Sequence, residues 1–277
     1  MNVVASVADL RLTRRQLPEP VGLVPTMGYL HAGHLALVRA AREGNASVAA
    51  SIFVNPKQFG PNEDYGSYPR DLDRDLQLLE AAGVDLVFAP SVEEMYPADF
   101  STFVDVGPIG EVLEGSRRPG HFRGVATVVT RLFNLFQPQR AYFGQKDAQQ
   151  CVVVGKLTGD LGFPIEIVVV PTVREPDGLA LSSRNVYLNG PERLAARILW
   201  ASLRTAQAAY ESGERNAEIL RTLVREQVQT EPLARLDYVS VADPHTLREL
   251  TTISDGALVS MAAWVGKARL IDNVNLA

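Results

Sequence analysis

Hydrophobic residues in the first part of the chain occur in short, unbroken runs, separated by stretches with helical spacing. The clearest runs are Val21–Thr26, residues 47–54 and residues 165–172. Continuous runs, as opposed to alternating ones, are typical of strands that are buried on both faces of a parallel sheet. The pattern predicts a doubly wound, Rossmann-like α/β domain, whose ligands bind at the carboxyl ends of the strands.

The intervals between these runs have the spacing of helices that bury one face. Leu72, Leu76 and Leu79 share one helical face, and a glycine at position 83 ends that helix. A longer apolar stripe over residues 125–136 ends before a proline, which cannot continue a helix. The other elements predicted in this part are helices at residues 34–43 and 147–158 and strands at residues 84–89 and 140–143.

The pattern changes after Arg174, where helices come first and strands follow. We expect a first domain of residues 1–172 and a second, smaller α+β domain of residues 173–277 with an antiparallel sheet. Asp177 and Gly178 favour a turn close to the junction. The elements predicted for the second domain are helices at residues 191–210 and 216–229 and strands at residues 236–241, 257–265 and 268–274.

Length, charge and cysteine content narrow the choice of function. The chain has 277 residues and a formal net charge of -5, with 27 basic and 32 acidic residues. Nucleic-acid binding needs an extended basic surface, so we expect no nucleic-acid partner. Cys151 is the single cysteine, which rules out an internal disulfide and a cysteine-based zinc site. We find no apolar run of membrane-spanning length and no signal-peptide pattern, and we therefore expect a cytoplasmic protein without a membrane partner.

The strongest chemical signal is Thr-Met-Gly-Tyr-Leu-His-Ala-Gly-His at residues 26–34, between the first clear strand and the helix after it. The N-terminus of that helix offers unpaired N–H groups and about half a positive charge. Gly28 and Gly33 allow the backbone to approach an anion closely, and His31 and His34 supply donors for phosphate oxygens. The pattern is neither a Walker A loop nor Gly-x-Gly-x-x-Gly, which disfavours a dinucleotide. The alternative is a pair of purely structural histidines.

The His-x-Gly-His pattern resembles the signature of the superfamily of nucleotidyltransferases and class I aminoacyl-tRNA synthetases. Enzymes of that superfamily react at the α-phosphate of ATP and release pyrophosphate. They need a second segment that supplies hydroxyls and a cation to the phosphates. The Leu-Ser-Ser-Arg-Asn segment at residues 181–185 suits that role, because Arg184 can hold phosphate oxygens with two parallel hydrogen bonds. By itself, Ser-Ser-Arg is common in loops.

Several segments, taken together and in this order, resemble the pantothenate synthetase family. They are Val-Pro-Thr-Met-Gly at 24–28, Ser-Ile-Phe-Val-Asn-Pro-Lys-Gln-Phe at 51–59, Tyr-Pro-Arg at 68–70, Phe-Gly-Gln-Lys-Asp at 143–147 and Ser-Ser-Arg-Asn at 182–185. The resemblance covers residues 21–188 and extends to residues 239–250 and 268–273. Each motif is moderately specific, whereas the ordered set is highly specific.

The resemblance implies an ATP-dependent ligase that joins pantoate to β-alanine through a pantoyl adenylate, with Mg²⁺ carried by the ATP phosphates, no protein-held metal, and a homodimeric assembly. The residues implied to bind ATP are Met27, Gly28, Tyr29, Leu30, His31, Ala32, Gly33, His34, Gly144, Gln145, Lys146, Asp147, Val173, Leu181, Ser182, Ser183 and Arg184. Those implied to take part in catalysis are His31, His34, Lys146 and Arg184, with His34 as the proton donor. Those implied to bind the substrates are Gln58 and Gln150, with Asn55 and Tyr68 as further pocket residues.

Three positions depart from the family pattern. Leu181 and Lys57 stand where the family commonly has Met, and Gln145 stands where it commonly has Glu. The Leu181 change conserves volume and should cost little. Lys57 places a cation next to Gln58, so the sequence does not determine how polar the pocket is at this point.

Two charged patterns have less specific interpretations. The basic segment at residues 117–124 could steer anionic substrates or belong to a lid, but we expect mainly a solvated loop. Asp71, Asp73 and Asp75 are expected to form a solvated face in preference to a metal site.

Two rival functions stay open at this level. Another enzyme of the superfamily would transfer a nucleotidyl group to a phosphate ester and show no dependence on an amine. A non-catalytic nucleotide-binding module would bind ATP without turnover.

Overall fold

The computed structural model describes residues 1–61 and 63–277. They form two compact units, one of Met1–Gly144 with Val153–Pro171 and the other of Gln145–Val152 with Thr172–Ala277. Residues 145–152, which we expected in the first domain, therefore group with the second unit. Among the helices of the described residues, none combines the length and the hydropathy needed to cross a membrane.

A six-stranded parallel sheet forms the centre of the first unit, in the order β1-β4-β3-β2-β5-β6. β2 lies between β3 and β5, so the chain winds away from β2 in both directions. The crevice at such a switch point, at the carboxyl ends of the strands, is where doubly wound sheets bind ligands. The strands are β1 (Asn2–Val4), β2 (Val21–Thr26), β3 (Ser47–Ile52), β4 (Leu86–Phe88), β5 (Arg140–Gly144) and β6 (Glu166–Val170).

The helices α1 to α7 follow the strands of this sheet in chain order. They are α1 (Val7–Arg14), α2 (Ala32–Gly44), α3 (Leu72–Ala81), α4 (Val92–Met95), α5 (Glu114–Arg117), α6 (His121–Phe136) and α7 (Ala148–Asp160). Short 3-10 helices occupy Pro56–Gln58, Gly107–Gly110 and Gln145–Asp147. The α6 stripe is buried along most of its length, as its apolar pattern predicts, and Gln137 ends the helix in the left-handed conformation.

The second unit packs three helices against a three-stranded antiparallel sheet in the order β7-β8-β9. Its elements are α8 (Gly190–Ala195), α9 (Ile198–Glu211), α10 (Ala217–Gln229), β7 (Ala234–Ala242), β8 (Ala257–Val265) and β9 (Ala268–Leu276). Leu199, Leu203 and Leu220 from the helices meet Val259 and Met261 of β8 in one buried cluster. The predicted fold class, a doubly wound parallel sheet with a smaller α+β part, is confirmed.

Some predicted bounds differ from the structure. The single helix predicted at 191–210 is two helices, because the N–H of Arg197 bonds to Leu194, three residues back, and tightens the turn there. α6 begins at His121, one turn before the predicted start. The sequence pattern also missed β1 and α1, which are short and carry few buried residues.

Candidate active site

The two histidines of the 26–34 segment lie at the start of α2, directly after β2. His31 is the N-cap of the helix and His34 is its third residue. Nδ1 of His31 accepts the N–H of Gly33 at 3.1 Å, and Nδ1 of His34 accepts the N–H of His31 at 3.3 Å. The ring centroids are 4.1 Å apart. Because both Nδ1 atoms accept, the proton of each neutral ring lies on Nε2, and both rings carry an N–H donor there.

A buried carboxylate holds the backbone that leads to these histidines. Gly28 and Tyr29 both have positive φ, of 82° and 51°, a region that residues other than glycine seldom adopt. Oδ2 of Asp75 accepts the N–H of Tyr29 at 2.6 Å, and Oδ1 accepts the N–H of Leu30 at 2.7 Å. Asp75 is only 1% exposed. Asp75 accepts hydrogen bonds from two N–H groups that have no helix or sheet partner because of the left-handed turn.

The prediction that Asp71, Asp73 and Asp75 form a solvated face is therefore wrong for one of the three. Asp73 is exposed, and Asp71 is the exposed N-cap of α3, where its side chain accepts the N–H of Arg74. Asp75 lies on the face of the helix that is turned inward. Asp73 and Asp75 are two residues apart within α3, and side chains at that spacing point to nearly opposite faces of a helix. Asp75 is buried together with the backbone N–H groups that it accepts.

Gln58 belongs to a buried chain of hydrogen bonds and is not a solvated surface amide. Nδ2 of Asn55 donates to Oε1 of Gln58 at 3.0 Å, and Nε2 of Gln58 donates to the sulfur of Met27 at 3.1 Å. Asn55 is 1% exposed and Gln58 is 8% exposed. The structure thus brings together three of the residues predicted for the site. Tyr68, a fourth, is buried, and its ring forms a T-shaped pair with that of Phe59.

Two residues of the basic segment at 117–124 are bonded to or near this hydrogen-bonded group, so the expectation of a mainly solvated loop is wrong for Arg118 and His121. Arg118 donates to both carboxylate oxygens of Glu63, at 2.7 and 2.8 Å. Nδ1 of His121 lies 2.8 Å from the backbone oxygen of Gln58, and Nε2 lies 3.0 Å from Nη1 of Arg118. Burial, followed by the charge of Arg118, lowers the pKa of His121 to about 4. The ring is therefore neutral at pH 7, with Nδ1–H donating to Gln58 and Nε2 accepting from Arg118.

Gly124 explains how α6 comes so close to the 3-10 helix that carries Gln58. A Cβ added at Gly124 would overlap the backbone oxygen of Lys57. The backbone oxygen of Gly124 also accepts from Nδ2 of Asn55 at 3.1 Å. The sequence analysis missed this contact, because it placed Gly124 in the basic segment that precedes the predicted helix and not inside α6.

The ammonium group of Lys57 lies among aromatic rings. It is 4.7 Å from the ring centroids of Tyr96 and Phe103 and 5.2 Å from that of Phe100. The ring faces attract the cation and replace part of its hydration. The Tyr96 hydroxyl donates to Oδ1 of Asn55 at 2.8 Å, and burial raises the pKa of Tyr96, so that this group stays a donor. These three rings form an aromatic cage that stabilises the charge of Lys57 next to Gln58.

A cavity of about 250 Å³ opens at the carboxyl ends of three neighbouring strands. Residues that follow β2, β3 and β4 line it, together with Arg70 and the carboxylate of Asp75. It touches Met27 and Gly28 of the histidine loop, while His31, His34 and Gln58 lie outside its lining. Its position is the one at which doubly wound sheets bind small ligands.

The second unit carries the other predicted site residues in two places. Gln145–Asp147 form a 3-10 helix that leads into α7, where Gln150 follows one turn later. Nζ of Lys146 lies 3.4 Å from Oδ1 of Asp147, and both side chains are half-buried. Gly144, the last residue of β5, precedes this segment and belongs to the first unit.

A small hairpin brings the remaining predicted residues side by side. The N–H of Leu181 donates to the backbone oxygen of Val173 at 3.0 Å, next to a bridge between Arg174 and Ala180. Ser182 then caps a 3-10 helix, Ser183–Tyr187, by accepting the N–H of Arg184 at 3.3 Å. Val173 therefore lies beside the Ser-Ser-Arg segment within this unit. That the two units hold one nucleotide stays a prediction from the sequence.

The fold and the site define a class of protein: an α/β enzyme with nucleotide-binding motifs. Paired imidazole donors lie at a helix N-terminus after the central strand of a doubly wound sheet, the arrangement that suits a phosphate group. The chain belongs to the pantoate-beta-alanine ligase family, whose model matches residues 2–275.

Similarity to individual pantothenate synthetases supports this family membership. The pantothenate synthetase of Chloroflexus aurantiacus is 64% identical over 274 residues, which are 99% of this chain and 97% of that protein. The crystal structure of pantothenate synthetase from Thermus thermophilus has a TM-score of 0.95 and 54% identity, with 99% of each chain covered. The pantoate-beta-alanine ligase of Francisella tularensis, described as complexed with beta-gamma ATP and beta-alanine, has a TM-score of 0.81 and 35% identity, with 99% of this chain and 97% of that chain covered.

Proposed function

We propose that this chain condenses pantoate with β-alanine at the expense of ATP and forms pantothenate, AMP and pyrophosphate. The observation that carries the proposal is the family match over residues 2–275. The histidine pair at the N-terminus of α2 supports it independently, because it supplies the donors that chemistry at an α-phosphate requires.

The reaction has two half-reactions. A carboxylate oxygen of pantoate attacks the α-phosphorus of MgATP, and the bond to the β-phosphate breaks to release pyrophosphate. The amine of β-alanine then attacks the acyl carbon of pantoyl adenylate, loses a proton and displaces AMP. Carboxylates are weak nucleophiles and the α-phosphate is anionic, so alignment and charge neutralisation provide most of the catalysis.

Nε2–H of His31 and Nε2–H of His34 donate hydrogen bonds that stabilise the charge on the phosphate oxygens as pyrophosphate leaves, with His34 as the proton donor. The hydrogen bonds to both Nδ1 atoms support this role, because they fix the tautomer before the substrate arrives. Asp75 holds the preceding turn, so the helix N-terminus is positioned without help from the nucleotide.

Gln58 binds the oxygens of pantoate, with Asn55 and Tyr68 in the same pocket. The hydrogen bond from Nε2 of Gln58 to the sulfur of Met27 supports this assignment. A thioether is a weak acceptor, so exchanging it for a hydroxyl or carboxylate oxygen of pantoate costs little. Gln150 is proposed to bind the same substrate.

The other proposed ATP contacts come from Gly144 and from the second unit. The lysine and arginine bind phosphate oxygens, the aspartate binds the ribose, and the backbone of residue 173 meets adenine. The residues concerned are Gly144, Gln145, Lys146, Asp147, Val173, Leu181, Ser182, Ser183 and Arg184. Mg²⁺ arrives as part of MgATP. We also propose a homodimer in the cytoplasm, as the family resemblance implies.

Pantoate-dependent exchange of labelled pyrophosphate into ATP, measured without β-alanine, tests the proposal. We expect exchange with wild type and a loss of about 100-fold or more with His34→Ala, since removing one donor to a developing charge has costs of that order. Normal pyrophosphate release by His34→Ala would refute the role of His34 as the proton donor. Nucleotide transfer to a phosphate ester, or ATP binding without exchange, would favour one of the rival functions and refute the proposal.

A further inference from the structure

Strand β9 holds the 3-10 helix on which Lys146 lies. Asn273 is 4% exposed, and its Nδ2 donates to the backbone oxygens of Gln145 and Lys146, both at 2.9 Å. Its Oδ1 accepts from Nε2 of Gln145 at 3.0 Å. One amide thus uses both of its donor hydrogens and its oxygen on two consecutive residues.

The neighbouring residue holds the other segment. Asp272 is 2% exposed and accepts from Nη1 and Nη2 of Arg174, at 2.6 and 2.9 Å. The guanidinium of Arg174 also lies over the ring of Trp200, 3.6 Å from its centroid, and donates to the backbone oxygen of Gly178 at 3.1 Å. A bidentate pair that is also stacked on an aromatic ring fixes both the position and the plane of the arginine. Arg174 directly follows Val173.

The two side chains form one connected unit. Oδ1 of Asp272 accepts the N–H of Asn273 at 2.8 Å, and Nη2 of Arg174 lies 3.4 Å from the backbone oxygen of Asn273. A buried network in which each member is satisfied is rigid, and a change in one member leaves buried polar partners without hydrogen bonds. The network also suits Gln145, which stands where the family commonly has Glu, because its amide donates to Oδ1 of Asn273 and the carboxylate of Glu would have no hydrogen to donate.

We infer that Asp272 and Asn273 are positioning residues for nucleotide binding. From adjacent places on β9, Asn273 bonds to the backbone of residues 145–146 and Asp272 bonds to the side chain of Arg174, the residue after Val173. The inference rests on the proposed function of Lys146, Asp147 and Val173 as ATP contacts. A displacement of about 1 Å in a positioned group is enough to cost a large part of its effect. Loss of either residue should therefore weaken the binding of ATP specifically and leave the binding of pantoate and β-alanine largely unaffected.

The first test is Asn273→Asp in the full chain. This change keeps the size of the side chain but places a carboxylate oxygen against two backbone carbonyl oxygens. We expect the KM for ATP, and its dissociation constant by calorimetry, to rise about tenfold or more, because two buried acceptors lose their donor. The KM values for pantoate and β-alanine should stay within about twofold of wild type, as expected when one subsite is displaced. Asn275→Asp, an exposed position on the same strand, is the matched control and should leave all three KM values unchanged.

The second test is Asp272→Asn, which keeps the shape and removes the charge that faces Arg174. Its matched control is Asp237→Asn, which weakens the ion pair of Asp237 with Arg269 between other parts of the same sheet. Thermal unfolding of all four variants is measured alongside. The inference predicts a selective rise in the KM for ATP for Asp272→Asn and none for Asp237→Asn, even where both variants lose similar stability.

Three results would overturn the inference. One is a wild-type KM for ATP in a variant of Asn273 or Asp272 that has lost thermal stability, which would mean a structural role only. Another is an equal rise in all three KM values. The third is an equal rise in the KM for ATP in the two control variants. If Asn273→Asp does not fold, Asp272→Asn decides alone. Failure of the proposed function is distinct, because wild type itself would then show no pantoate-dependent pyrophosphate exchange.

Discussion

Oδ1 of Asp75 accepts the N–H of Leu30 at 2.7 Å, across 45 residues of the chain. Leu30 is the residue before His31, so a side chain on α3 sets the entry of the histidine segment into α2. The same carboxylate accepts the N–H of Tyr29, whose left-handed backbone has no regular partner. The geometry of the candidate catalytic loop thus depends on a residue outside the loop.

Asp75→Asn should destabilise the protein and slow the first half-reaction. One of the two backbone N–H groups would then face an N–H₂ group in a buried place, which costs about 1–3 kcal/mol. Urea unfolding gives the stability, and pantoate-dependent pyrophosphate exchange gives the rate. Asp73→Asn, exposed on the same helix, is the control and should match wild type within about 0.5 kcal/mol. Wild-type stability in Asp75→Asn would show that the buried carboxylate does not hold the loop.

His121 should make stability depend on pH below neutrality. Its folded pKa is lowered from 6.5 to about 4, so between these values the unfolded chain binds more protons than the native protein. Stability therefore increases with pH in this window; it is fully present above about 6.5 and is lost as the pH falls towards 4. From pH 7 to pH 5, wild type should lose about 2 kcal/mol more than His121→Gln, whose amide keeps a donor and an acceptor but does not titrate. Equal losses in the two proteins, measured by urea unfolding, would contradict the assignment of a neutral buried imidazole.

Lys57→Met should leave pantoate binding nearly unchanged. The ammonium lies within the cage of Tyr96, Phe100 and Phe103, and a thioether also packs well against aromatic rings. We expect a change in stability below about 1 kcal/mol and a KM for pantoate within about twofold of wild type. Lys57→Glu, which sets a carboxylate against the negative ring faces, should lose about 2 kcal/mol. A tenfold change in the KM for pantoate with Lys57→Met would mean that the lysine contacts the substrate pocket.

Gly124→Ala should displace the segment that carries Gln58. The added Cβ would overlap the backbone oxygen of Lys57, and overpacking of this kind costs about 1–3 kcal/mol. We also expect a raised KM for pantoate, because Gln58 is the next residue along. Gly155→Ala is the control: it lies in α7 with no atom near the new Cβ, and it should stabilise the helix by about 0.5–1 kcal/mol. An unchanged KM for pantoate in Gly124→Ala would show that the close approach of α6 is not needed for the substrate.

The sequence by itself determined five of the six strands of the central sheet, all except β1, and the type of chemistry. Val21–Thr26 was predicted with its observed bounds, because an unbroken apolar run is a local pattern and needs no knowledge of its neighbours. The ordered motifs around His31, His34 and Arg184 likewise indicated the family without any knowledge of the fold, and the family membership is confirmed.

Only the tertiary structure decided which side chains support those motifs. Asp75 and the basic pair Arg118 and His121 were expected in solvent, because a charged residue in a polar stretch carries no local sign of a buried partner. Their partners lie 45 to 63 residues away in the chain. Asn273 reaches its partner across 128 residues. Hydrogen bonds of this kind depend on where the fold brings backbone groups together, and that information is absent from the spacing of residues along a single element.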